Sequence, residues 1–313
     1  MKCRKADAFR CYAPLVFVIA IVMLSACGGD LPNSDDPMDD FDAFVGAADR
    51  FLAESVDRRH PGVAAAFLDS NGSIRVVAHG VADVRSGEPI SGDSIFQVAS
   101  ISKTVTAYGV MKLFDRGQVR LDDPVEEYLT RYRLPDSRYD PAGVTIRRVL
   151  SHTAGLSLSG YPGFAPDRPL PTLERSLAGE TGRFFGLYSP GAVRLKREPG
   201  AGFRYSGGGY TILQLLIEEV TGDGFAEHMN AAVLQPLGMN SSTFDPADVN
   251  TGRLATGHNR WGKPVPNYVF TAKAAAGLYS TAGDLALLLR DLAESGGLCS
   301  ACVSELERYA GPV

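Results

Sequence analysis

The chain has 313 residues, 45% of them hydrophobic and 21% charged, with a formal net charge of -5. That is enough apolar material for a real core and excludes wholesale disorder. The 31 basic residues are outnumbered by 36 acidic ones and form no basic block, which removes the electrostatic footprint that nucleic-acid binding needs. Lys2, Arg4, Lys5 and Arg10 precede an apolar run from Ala13 to Leu24, short for a bilayer span and the right length for the core of an export signal. From Asp30 to Asp42 there are six aspartates, Pro32 and Pro37, and no lysine or arginine; this stretch is expected to be a solvated tether, because it cannot bury enough surface to fold. Phe41, Phe44, Val45, Ala48, Phe51 and Leu52 then recur at helical spacing up to the break at His60-Pro61-Gly62. Two apolar runs, Val63 to Asp69 and Ile74 to Val81, are joined by Ser70-Asn71-Gly72-Ser73 and predict a β-hairpin. From Ser102 onward helices dominate, over Thr104 to Phe114, Thr145 to Leu150, Tyr210 to Val220, Phe225 to Leu234 and Ala282 to Leu292. The Gly and Pro density between Ser157 and Pro199 predicts long ordered loops.

Chemistry is concentrated at Ser100-Ile101-Ser102-Lys103. A serine hydroxyl is a weak nucleophile until a base takes its proton, and a lysine three residues later on a helix lies on the same face. Burial or positive neighbours must lower that lysine's pKa before it can act as a base, and the apolar segments on either side supply burial. A serine at a helix amino terminus also offers its backbone N–H to a developing oxyanion. By itself the tetrad is weak, since about one Ser-x-x-Lys is expected by chance in a chain of this size.

Further motifs follow in order: Leu150-Ser151-His152-Thr153-Ala154-Gly155-Leu156, the run Pro199 to Tyr210 with Tyr205-Ser206-Gly207-Gly208-Gly209, Gln235-Pro236-Leu237-Gly238-Met239, and Ala274 to Leu285. With Phe96 to Lys103 ahead of them, this set resembles the serine β-lactamase and penicillin-binding protein family, in its class C-like esterase and D-alanyl peptidase branch. The resemblance covers residues 44 to 306. It implies an α/β fold of the α+β type, with an antiparallel sheet flanked by helices and a mainly helical subdomain. It also implies that Ser100 is the nucleophile, Lys103 its general base, Tyr205 the second acid/base and the Ser100 N–H an oxyanion donor. A phenol beside an ammonium can have its pKa lowered into a useful range. Gly207 stands where the family often has Asn, which removes an amide that would grip a substrate carbonyl and argues against a dedicated β-lactamase. The family's third motif, Lys-Thr-Gly or His-x-Gly, does not follow Leu278. The chain therefore reads as truncated or degenerate, with an incomplete sheet. Val63, Ala65, Phe67 and Val76 of the hairpin are then expected to stay partly exposed, and residues 28–313 to be aggregation-prone or molten.

Leu24-Ser25-Ala26-Cys27 resembles the lipobox of bacterial lipoproteins, in which the cysteine is lipidated. This implies a signal peptide over 1–26, an acidic tether over 27–43 and a hydrolase domain over 44–313, held at the cell envelope by a lipid on Cys27 and facing periplasm or exterior. Cys299 and Cys302 form a lone C-x-x-C read as incidental thiols or a labile disulfide. No metal or cofactor is implied by the five histidines or the acidic residues. Gly257 to Lys263 imitates a phosphate loop, but Pro264 occupies the metal-binding position; no Gly-x-Ser-x-Gly occurs. His79 and His152 read as structural. The expected function is a membrane-tethered serine hydrolase acting through a Ser100 acyl-enzyme on an ester, amide, β-lactam or D-amino-acid peptide, small or peptidoglycan-like. The alternative is a non-catalytic lipoprotein that binds cell-wall fragments or a partner protein. Oligomeric state is not encoded in any motif.

Overall fold

The computed structural model describes residues 37–180, 191–259, 261–294, 296–298 and 302. Its elements are α1 (Pro37–Ser55), β1 (Gly62–Leu68), β2 (Ile74–Asp83), β3 (Glu88–Pro89), β4 (Phe96–Gln97), α2 (Ser102–Asp115), α3 (Ile146–Leu150), α4 (Leu173–Leu177), α5 (Gly207–Thr221), α6 (Phe225–Met229), α7 (Lys273–Ala276), β5 (Tyr279–Ser280) and α8 (Ala282–Glu294). The mixture of helices with small antiparallel sheets is the α+β class expected from the sequence. None of the helices among the described residues is long and apolar enough to cross a membrane. The chain divides into two units: residues up to Phe96 with Asn250–Asn267 and Thr281–Ala286, and Gln97–Val249 with Tyr268–Ser280 and the residues from Leu287.

In the first unit, β1 and β2 pair antiparallel with Ala65 opposite Val77 and Phe67 opposite Arg75, and β3 adds to β2 beyond a bulge at Val81/Asp83. Alternation puts Ala65 and Phe67 on one face. Phe41, Phe44, Val45, Ala48 and Leu52, one stripe of α1, pack on that face together with Val77, and Phe44 meets the Phe67 ring edge-on at 5.8 Å. His79 Nε2 lies 2.7 Å from Asp49 Oδ1 and ties β2 to α1.

Two expectations change here. The helix begins at Pro37, inside the stretch 27–43 expected to be a tether: proline lacks only an N–H that a helix start does not use, and Phe41, 8% exposed, anchors the first turns in the core. Ala65 and Phe67 are buried, at 4% and 5%, rather than partly exposed, because α1 covers their face; Val63 is half-buried and Val76 is exposed at 37%.

The second unit is built on α2 and α5. In α5, Ile212, Leu213, Leu215, Leu216 and Ile217 are all fully buried, so the helix forms the middle of the core. Ser206 caps its start, accepting from the Gly209 N–H at 2.9 Å. Gly222 ends it at φ +79, the left-handed conformation that closes a helix without Cβ strain. The segment Phe225 to Leu234, expected as one helix, is α6 followed by a π turn over Asn230–Leu234; apolar periodicity alone does not distinguish the two. Cys302 is fully buried and disulfide-bonded.

Candidate active site

Ser100 sits in a single 3₁₀ turn, Ala99–Ile101, that feeds α2. Ala99 takes a positive φ of +45, rare for a residue with a side chain, and Ser100 beside it is exposed. Ser102 holds the turn from beneath: its Oγ donates to the Ala99 carbonyl at 2.5 Å and accepts from the Leu278 N–H at 2.9 Å. The Ser100 N–H lies at the start of the helix, where the first donors have no intrahelical acceptor and the dipole favours negative charge.

Lys103, one turn along, is only 6% exposed. Its Nζ donates to the Ala275 carbonyl at 2.7 Å and to Ser100 Oγ at 3.1 Å. Burial pulls its pKa below the ordinary lysine value, with Tyr205 acting in the opposite direction. Tyr205 is 38% exposed, and its hydroxyl donates to Ser100 Oγ at 2.9 Å. Lys103 Nζ lies 5.0 Å from the centroid of the Tyr205 ring. Of the three side chains singled out in the sequence, Lys103 and Tyr205 thus converge on the oxygen of the third, Ser100. Among the described residues no group of three or more His, Cys, Asp or Glu side chains could hold a metal. Cys27 lies outside the described residues.

Gly207 and Gly208 follow Tyr205 for a spatial reason. A Cβ on Gly207 would lie 3.0 Å from the Ser159 carbonyl oxygen, and one on Gly208 would lie 2.9 Å from both the Ser157 carbonyl oxygen and Val193 Cγ2. An Asn at 207 therefore needs a shift of the 157–159 backbone that this chain does not make.

Two participants escaped the sequence reading. The Ala275 carbonyl is a backbone atom and carries no sequence signal. His152, read as structural from its motif, is in ring contact with Tyr205, centroids 4.5 Å apart, and with Tyr210 at 5.2 Å. Its imidazole is pushed down to about 4, first by burial and then by the charge of Lys103. The signal available was its place in Ser151-His152-Thr153-Ala154-Gly155.

The Beta-lactamase family model matches residues 46–301. The chain is 28% identical over 257 residues to Esterase EstB of Burkholderia gladioli, covering 74% of this chain and 65% of that protein. It is 29% identical over 199 residues to the D-alanyl-D-alanine-carboxypeptidase/endopeptidase AmpH of Escherichia coli K12, covering 62% and 47%. Among solved structures it is similar to the octameric penicillin-binding protein homologue from Pyrococcus abyssi, with TM-score 0.64 and 28% identity over 85% of this chain and 59% of that one. The chain thus spans between about half and two thirds of the length of these relatives. A match running from α1 to beyond α8, through every motif around Ser100, means that the chain belongs to the Beta-lactamase family.

Proposed function

We propose that the protein is a serine hydrolase that works through an acyl-enzyme on Ser100, on an ester, amide, β-lactam or D-amino-acid peptide. The observation that carries this is the convergence of a buried lysine's Nζ and a tyrosine hydroxyl on the Oγ of one exposed serine. In its neutral form Lys103 takes the Ser100 hydroxyl proton while Oγ bonds to the substrate carbonyl carbon. The oxyanion of the tetrahedral intermediate lies against the Ser100 N–H. Tyr205 gives its proton to the leaving oxygen or nitrogen as that bond breaks, and the proton held by Lys103 replaces it. Water then attacks the acyl ester along the reverse path and frees Ser100. Gly207 offers no side-chain amide to a substrate carbonyl, which favours esters and simple amides over β-lactams. The relatives, an esterase and a D-alanyl-D-alanine-carboxypeptidase/endopeptidase, support the same range. We place the protein at the bacterial cell envelope, exported and held by a lipid on Cys27.

The test uses nitrocefin, p-nitrophenyl esters and a D-Ala-D-Ala peptide, together with covalent labelling by a fluorophosphonate or a fluorescent penicillin. Ser100→Ala is expected to abolish labelling and to lower turnover of any accepted substrate by at least about 10³-fold. Turnover that is unchanged by the substitution would sink the assignment.

A further inference from the structure

Tyr205 lies on the irregular approach to α5, and that approach is held by one residue far away in the sequence. The backbone carbonyl of His152 accepts from the Arg204 N–H at 2.7 Å, and its Nδ1 accepts from the Ser206 N–H at 3.1 Å. The peptide neighbours on both sides of Tyr205 are therefore bonded to the same histidine, whose ring lies against the phenol between them. A ring atom that faces a backbone N–H must be an unprotonated nitrogen, and the low pKa of this imidazole keeps that lone pair available. The charged or titratable groups turned toward the ring are Lys103, Tyr205 and Tyr210. The backbone of His152 is itself left-handed, with φ +57, and that turn is what lets one residue present both its carbonyl and its ring to the 204–206 segment.

We infer that His152 is a positioning residue for Tyr205: its carbonyl and Nδ1 clamp residues 204 and 206, and its ring fixes the plane of the phenol so that the hydroxyl reaches Ser100 Oγ. Its hydrogen bonds fall on residues 204 and 206 and its ring lies against Tyr205, so its effect on Ser100 passes through Tyr205, while Lys103 is coupled to the ring only through its charge. The inference rests on the role given to Tyr205 above. Loss of His152 must then reproduce the Tyr205 defect and nothing else. A displaced general acid hurts poor leaving groups, which need a proton, and spares good ones, which do not.

The experiment compares kcat/KM, which reports acylation and not the deacylation step common to both esters, for a p-nitrophenyl ester and for the matching alkyl ester in wild type, His152→Ala, His152→Asn, Tyr205→Phe and the double variants, with thermal melts of each. His152→Ala is expected to lower kcat/KM on the alkyl ester by about tenfold or more and on the p-nitrophenyl ester by less than about threefold, following Tyr205→Phe. In the Tyr205→Phe background it is expected to add nothing. His152→Asn keeps an acceptor at the Nδ1 position and tolerates the left-handed backbone, so it is expected to recover most of the alkyl-ester rate. Should His152→Ala fail to fold, His152→Asn carries the comparison: any loss it causes must be confined to the alkyl ester and vanish in the Tyr205→Phe background. Equal losses on both esters, or losses that add to those of Tyr205→Phe, overturn the inference while leaving the hydrolase assignment intact. A Tyr205→Phe enzyme indistinguishable from wild type overturns the role of Tyr205 and this inference with it.

Discussion

Lys103 must give up its charge to act as a base, yet it is held by the Ala275 carbonyl, an acceptor that favours the ammonium. Burial resolves the conflict by moving its pKa down, so the neutral fraction at a given pH exceeds that of a lysine in water and the rate rises with pH until Lys103 has lost its proton. The same shift links to stability. Between the lowered value and the ordinary 10.5, the unfolded chain holds a proton on this lysine that the folded chain does not, so stability increases with pH across that window and is lost as pH falls through it. Lys103→Met is expected to lower kcat/KM by about 10²–10⁴-fold and to remove this alkaline gain. The denaturation midpoint of wild type, measured from neutral to pH 10, should rise relative to that of the variant; a constant difference would mean that Lys103 titrates normally.

The entrance to α5 sets local propensity against packing. Three glycines in a helix's first turn cost about 1 kcal/mol each relative to alanine, and Gly208→Ala would be stabilising on that ground alone. Its Cβ, however, would meet the Ser157 carbonyl and Val193 at 2.9 Å, and overpacking of that kind costs about 1–3 kcal/mol. Packing wins, so Gly208→Ala is expected to lower the urea midpoint and to slow labelling of Ser100, because relief of the contact moves the turn that carries Tyr205. A raised midpoint with unchanged labelling would show that the contact yields freely. At this scale most of the fold was readable: apolar spacing marked α1, α2, α5 and α8, and the Asn71-Gly72 turn joins β1 and β2 with Gly72 at φ +83. The Ser-x-x-Lys pairing was readable because both residues sit one turn apart on a single element. His152 was not, since its contact with residue 206 spans 54 positions and depends on a left-handed turn that no pattern announces. The early start of α1 was hidden as well, because aspartates and prolines mask Phe41, the residue that anchors it.

Over the whole chain, the proposed lipid on Cys27 leaves few residues between the membrane and α1, since the helix starts at Pro37. Expressed with its native leader in a bacterium, the protein is expected in the membrane fraction and Cys27→Ser in the soluble fraction; a variant that stays with the membrane argues for another anchor. Active-site assembly also has a distinct timescale. Ser100 and Lys103 are three residues apart, but the partners that complete them are distant: Tyr205 bonds Ser100 across 105 positions, Ala275 bonds Lys103 across 172, and Leu278 bonds Ser102 across 176. During synthesis the serine and lysine emerge together, long before the tyrosine, and the carbonyl that anchors the lysine comes 172 residues after it. A nascent chain that ends before Ala275 thus carries the nucleophile without the scaffold that arms it, and the reactive serine exists only once Ala275 has left the ribosome.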